Sequence, residues 1–285
     1  MIIIVDSGST KSDWIIRDPI ENNVVCAFQT KGLNPAILSE HELRGIINGA
    51  ADVQQHRQAI TKFFFYGAGC GTENPRLLLS QVLQSIFKKA KIQVLEDTYG
   101  AVRAVLNTPR EAAVVCILGT GSNCSYFDGK QLFQAVPSLG YSIMDDASGN
   151  YFGKQLLRDY YFNRMPKAIQ RAFEDAYAPD ADTIKNKLYK QPNPNAYLAS
   201  FAAFMFNYKE DTYIKTMLKN GLRLFSENMI AQFAEEIKSV PVHFVGSISY
   251  FAKAEILEIA KEYHFNVGNI VKRPIDGLVA YHSNK

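Results

Sequence analysis

Cysteine is scarce. The 285 residues hold four, Cys26, Cys70, Cys116 and Cys124, and no two form a CxxC pair. A chain of this length buries roughly 75% of its unfolded surface and needs no disulfide staples, so free thiols in a reducing cytoplasm are expected. Long apolar runs are also missing. No stretch reaches the 18 apolar residues of a membrane span. Only Ile2 to Val5 precede Asp6, without the basic start and longer apolar stretch of a signal peptide, so a cytoplasmic location and no membrane partner are expected. Charge of one sign is not in excess. With 31 basic and 28 acidic residues the net charge is +3, too mild for a nucleic-acid partner. Two nucleotide motifs are absent as well. Gly8-Ser9-Thr10-Lys11-Ser12 lacks the GxxxxGK[ST] spacing of a P-loop, and no GxGxxG opens a helix after the first strand, which disfavours a dinucleotide-binding fold.

What is present alternates. Ile2 to Val5, Trp14 to Ile16 and Val24 to Phe28 read as strands around a small polar turn, a hairpin at the chain start. His41 to Ala51 and Pro75 to Lys89 have helical spacing. Strands follow at Phe63 to Tyr66 and Ile92 to Leu95, then a short helix over Ala101 to Leu106. The pattern then restarts: a strand over Ala113 to Leu118, a small-residue loop, and strands at Ser125 to Phe127 and Leu132 to Val136. Residues 150–238 are mostly helical by pattern. Val242 to Val245 returns to strand, Ala252 to Tyr263 is an amphipathic helix, and 274–283 is a last helix opened by Pro274. Alternating strands and helices imply an α/β fold. Length and the restart imply two lobes.

Three small-residue loops follow predicted strands, at 6–12, 119–123 and 246–249. Gly, Ser and Thr let backbone N–H groups approach an anion closely. Asp6 at the head of the first loop suits Mg²⁺, which keeps its waters and takes few carboxylates. Each loop alone reads equally as an ordinary turn. The three in this order resemble the actin/hexokinase superfamily: Asp6 to Lys11 looks like its first phosphate motif, Leu118 to Asn123 its second, and Phe244 to Ile248 its adenosine motif. Gly32-Leu33-Asn34-Pro35, Asp97 to Ala101, Pro137 to Tyr141 and Pro274 to Leu278 make the chain similar to the N-acetylglucosamine kinase-like branch grouped with the BadF/BcrA ATPases.

The resemblance implies a two-lobed actin-like ATPase (ribonuclease H-like) fold, each lobe a mixed five-stranded sheet flanked by helices, with a central cleft. It implies lobes at 1–107 and 108–273, with the helix 274–285 returning to the first. It implies an ATP-dependent kinase of an amino sugar, with Mg²⁺ and small-molecule partners, and allows a homodimer. Gly8, Ser9, Thr10 and Lys11 would hold ATP phosphates, with Thr120 and Gly121; Gly246 and Ser247 would lie near the adenosine. Asn34, Ser122, Asn123, Ser138, Leu139, Gly140, Tyr141 and Asp145 match sugar-binding positions. Read from the residues alone, Asn34 is a turn residue before Pro35, and Asp97 is first a cap on the helix after it. The resemblance makes Asp97 the base that takes the acceptor's proton.

One departure stands out. Where the family reads Gly-Asp-Glu-Gly-Ser, this chain has Met144-Asp145-Asp146-Ala147-Ser148. A side chain on a left-handed backbone there costs about 1 kcal/mol or more. The change leaves open a sugar or nucleotide sensor with weak turnover, and the resemblance to BadF-type proteins separately leaves open an ATPase that activates a partner enzyme.

Overall fold

The computed structural model describes residues 1–8, 10–108, 110–178 and 180–283. The chain forms two compact units, Met1–Leu106 with Arg273–Lys285, and Asn107–Lys272. Each holds one five-stranded mixed sheet.

The first unit runs β1 (Ile2–Ser7), β2 (Lys11–Asp18), β3 (Asn23–Lys31), α1 (Glu40–Gly49), α2 (Ala51–His56), β4 (Lys62–Gly67), α3 (Glu73–Ile86), β5 (Lys91–Glu96) and α4 (Asp97–Val105). The sheet order is β3-β2-β1-β4-β5, with β1 antiparallel to β2 and parallel to β4. β1 is buried on both faces because its residues are apolar at every position from Ile2 to Val5. Ile3 and Val5 join Trp14, Ile16, Phe63, Phe65 and residues of α1 and α3 in one core. Ile2 and Ile4 join Ile15, Tyr66, Ala104, Ile275 and Leu278 in the other. α1 opens with a full capping box, Ser39 and Glu42 each closing on the other's backbone.

The second unit runs β6 (Ala113–Leu118), β7 (Ser122–Phe127), β8 (Leu132–Phe133), α5 (Gly149–Tyr161), α6 (Lys167–Tyr177), α7 (Ala181–Tyr189), α8 (Pro194–Phe201), α9 (Ala203–Asn207), α10 (Thr212–Asn228), β9 (Val242–Val245), α11 (Ser247–Phe251), α12 (Lys253–Glu262) and β10 (Val267–Val271). The order β10-β9-β6-β7-β8 repeats that of the first sheet strand for strand. A last helix, α13 (Pro274–Ser283), belongs to the first unit and packs on α4 and β1. Among the described residues no helix is long and apolar enough to cross a membrane.

The fold differs from the sequence reading in several places. The first hairpin extends its ladder to Ser7 opposite Ser12, so the polar loop shrinks to a turn. Ser122 and Asn123 likewise belong to β7, paired with Leu118 and Ile117. α4 begins at Asp97, four residues before the predicted start. Gly100 does not break it; a Cβ there would stand 2.8 Å from Cβ of Tyr66, so the glycine lets the helix press on β4. β10 has no counterpart in the reading. Its Gly268 and Asn269 are poor strand formers, and its pairing with β9 supplies the order that propensity does not.

Candidate active site

In the first unit the turn after β1 is tight: the Gly8 N–H donates to the Lys11 carbonyl at 2.9 Å. Ser12 Oγ donates to Ser7 Oγ at 2.8 Å, and Ser7 Oγ accepts the Leu33 N–H at 3.0 Å. These buried hydroxyls tie the hairpin to the segment carrying Asn34. The side chains of Thr10 and Lys11 stay exposed. Ser9 lies outside the described residues.

Asp6 and Asp13 are register partners on one face of the sheet, and Asp6 also pairs with Tyr66. Burial, with the negative charge of Asp97 and Asp13, pushes the Asp6 carboxyl up to about 7; Lys11 and Arg273 oppose this. Asp13 is buried and gathers both cations, Lys11 Nζ at 3.2 Å and an Arg273 guanidinium nitrogen at 3.4 Å. Asp97 is the first residue of α4, and its Oδ1 accepts the Thr98 N–H at 3.0 Å. The cap position is Glu96, so the capping reading of Asp97 does not hold. Burial and neighbouring Glu96 raise Asp97 to about 6. A carboxylate poised there is ionised at neutral pH, yet basic enough to accept a proton. Asn34 is buried and its Oδ1 accepts the Ala36 N–H at 3.0 Å, the turn geometry its place before Pro35 suggests.

In the second unit Gly119 to Gly121 turn between β6 and β7. The Gly119 carbonyl accepts the Gly149 N–H at 2.8 Å and that of Thr120 accepts the Asn150 N–H at 3.0 Å, fixing the turn to the start of α5. Asp145 completes the clamp. Its Oδ1 accepts the Ser122 N–H at 3.2 Å and its Oδ2 accepts Asn150 Nδ2 at 2.9 Å. Gly246 adopts φ 121°, and a Cβ there would lie 2.3 Å from the Leu118 carbonyl oxygen, so only glycine lets the chain pass this close to the turn. Ser247 is the first residue of α11 rather than a loop residue. Ser138 and Leu139 are exposed, Gly140 is left-handed at φ 81°, and Tyr141 leans partly buried on the unit's core. Asn123 Oδ1 accepts Ser125 Oγ at 2.9 Å.

The departure at 144–148 has a structural cost. Asp145 and Ala147 both adopt positive φ, 69° and 55°, whereas Met144 does not. Ala147 therefore carries a methyl group on a left-handed backbone, worth about 1 kcal/mol of strain.

The structure of a protein from Porphyromonas gingivalis, named as a candidate N-acetylglucosamine kinase, superposes with a TM-score of 0.92 at 30% identity, over 100% of this chain and 99% of its own. The chain belongs to the sugar kinases of the actin-like ATPase fold. A second candidate N-acetylglucosamine kinase, from Chromobacterium violaceum, matches this sugar kinase at TM-score 0.73 and 15% identity, over 98% of each chain. A ROK family glucokinase from Streptomyces griseus, solved with glucose and AMPPNP, matches at 0.57 and 11%, over 98% and 97%, and shows the fold alone. No family model matches the sequence, and no curated protein matches it.

Three residues that the sequence reading passed over take part in this geometry. Asp13 and Arg273 complete the charge balance around Asp6, and Asn150 holds Asp145. The alternation Asp6–Asp13 across a hairpin was the available signal for Asp13. Arg273 and Asn150 depend on contacts over long sequence separations and leave none. Among the described residues no group of three or more His, Cys, Asp or Glu could hold a metal ion by itself.

Proposed function

We propose that this sugar kinase transfers the γ-phosphoryl group of ATP to N-acetylglucosamine or a closely related amino sugar. The observation that carries the proposal is Asp97: a carboxylate raised to about 6 at the first turn of α4, beside Asp6 at the end of β1. Phosphoryl transfer asks a protein mainly to position the reactants and to balance charge. Asp97 would accept the proton of the attacking hydroxyl and return it to solvent. Asn34, Ser122, Asn123, Ser138, Leu139, Gly140, Tyr141 and Asp145 would position the sugar.

The residues of the first unit fit a Mg²⁺–ATP ligand. Burial and two further carboxylates make ionised Asp6 costly, a cost that a divalent cation relieves, and Asp6 would hold the ion through water. Bound Mg²⁺ would neutralise charge on the phosphates. Gly8, Ser9, Thr10 and Lys11 in the first unit, and Thr120 and Gly121 in the second, would take the phosphates. Gly246 and Ser247 would face the adenosine.

A second reading is favoured by one observation. The loop that departs from the family sets Ala147 at φ 55° two residues after Asp145, an altered sugar-side loop of the kind a sensor with little turnover would have. A coupled ADP-release assay with Mg²⁺–ATP and N-acetylglucosamine, glucosamine, N-acetylmannosamine and glucose separates the two. Sugar-dependent ADP release that collapses in Asp97→Asn is the expected result. Tight sugar binding with no ADP release on any sugar would sink the kinase reading.

A further inference from the structure

One end of the first sheet carries an in-register row: Arg17 near the end of β2, Ile2 at the start of β1 and Lys62 at the start of β4. Register partners share a sheet face, and this one is covered by α4 and α13. Beside the row lies a cavity of about 340 Å³, lined among others by Arg17, Lys62, Arg103, His282, Gln93 and Phe64. No described carboxylate lines it. Arg17 is only 2% exposed, and its Nε is buried with no hydrogen-bond partner. Its one described hydrogen bond goes to Asn22 Oδ1, a neutral acceptor. Arg103 is held between the rings of Tyr66 and Tyr281 and donates to Tyr66 Oη at 2.6 Å; Tyr66 Oη in turn lies 2.8 Å from His282 Nε2. Among the described residues none of Arg17, Lys62 and Arg103 makes an ion pair with a carboxylate.

A buried guanidinium without an anion is costly, and natural proteins pair such groups. Guanidinium groups match phosphate oxygens in shape as well as in charge. A space of this volume is within the range of small-ligand sites. From the strand starts to Asp6 is four residues, about 13 Å along an extended strand, so this cavity is separate from the residues proposed for catalysis.

We propose that this cavity is a second ligand site, for a phosphate group, either free or as the monoester of a small polar molecule. Arg17 and Lys62 contact the phosphate oxygens, with Arg103 fixed by its two tyrosines as the third cation. Gln93 and Phe64 face the organic part of a monoester. The proposal does not depend on which sugar the enzyme phosphorylates.

Calorimetric titration of the full chain with inorganic phosphate and, separately, with glucose 6-phosphate tests it. Saturable one-to-one binding of at least one probe is expected, weakened about tenfold or more in Lys62→Glu and lost in Arg17→Met. Tighter binding of glucose 6-phosphate assigns the site to monoesters, and the reverse order to free phosphate. The double variant Thr10→Ala, Thr120→Ala controls for the proposed nucleotide loops and should bind as wild type does. Lys62 is exposed at a strand start, so Lys62→Glu keeps the test decisive if Arg17→Met does not fold. No saturable heat up to about 10 mM of either probe, an affinity too weak for a specific site, overturns the proposal. So does binding that survives Lys62→Glu but vanishes in the threonine double variant.

Discussion

Before the last pair of the first hairpin, Asp6 stands opposite Asp13. At the same place in the second sheet, Ile117 stands opposite Asn123. The strand order around both hairpins is the same. The first unit thus concentrates ionisable groups, Asp6, Asp13 and Asp97 against Lys11 and Arg273. The second builds its turn from backbone amides and a single carboxylate, Asp145, that binds protein donors on both oxygens. One topology can therefore supply charge in one copy and a rigid cradle in the other, because the hairpin fixes where side chains point and leaves their chemistry free. The first unit should be sensitive to pH and the second to loss of hydrogen bonds.

Four experiments would break or sharpen that contrast. Asp97→Asn removes the proposed base and should lower kcat by about 10²–10⁴-fold with little change in the sugar KM. In wild type the acid limb of the pH–rate profile should fall near pH 6, where Asp97 takes up its proton; a profile flat from pH 5 to 8 would count against the assignment.

Asp6→Asn should separate stability from activity. The folded carboxyl titrates at about 7 against an ordinary 3.8. A raised value means that stability is fully present below about pH 4 and is lost as pH rises through 7. The variant escapes that loss, so its advantage over wild type should grow from nothing at pH 4 to as much as about 4 kcal/mol at pH 8, while turnover drops. Melting curves at both pH values read this directly. Equal advantage at pH 4 and pH 8 would refute it.

In the second unit, Asn150→Ala leaves Asp145 Oδ2 and Ser148 Oγ short of a partner and should cost about 1–3 kcal/mol. The KM for the sugar should rise more than that for ATP, because Asp145 loses its side-chain partner while the Asn150 N–H that holds the Thr120 carbonyl is kept, and the stability loss should vary little between pH 6 and 8. The smallest effect is expected for Ala147→Gly. Relieving the left-handed alanine should stabilise by about 1 kcal/mol, or roughly 2–4 °C in Tm for a domain of this size. A lower Tm would show that the methyl group's burial outweighs its strain.

Much of the fold was legible because single strands and helices announced themselves. Ala113–Leu118 is an unbroken apolar run, Val242–Val245 is apolar but for His243, and Pro274 opens α13 where proline favours a helix start. Elements set by neighbours were not. β10 is ordered by β9, and the helix reading began only at Ala101 although Gly100 lies inside α4 against Tyr66. The same division holds for the candidate site. Asp6 and Asp97 sit at strand ends that the pattern exposes. Asn150 and Arg273 enter through contacts of their side chains with Asp145 and Asp13, which no local pattern records.

The placement of α13 also orders events during synthesis. The apolar face formed by Ile2, Ile4 and Ile15 is covered by Ile275 and Leu278, residues made some 260 positions later. The first unit, although made first, therefore cannot finish packing until α13 has been made, and until then α4 alone covers this face of its sheet. Chains stalled before residue 274 should accordingly be the ones that recruit chaperones, and a slow refolding step should belong to the first unit and not the second.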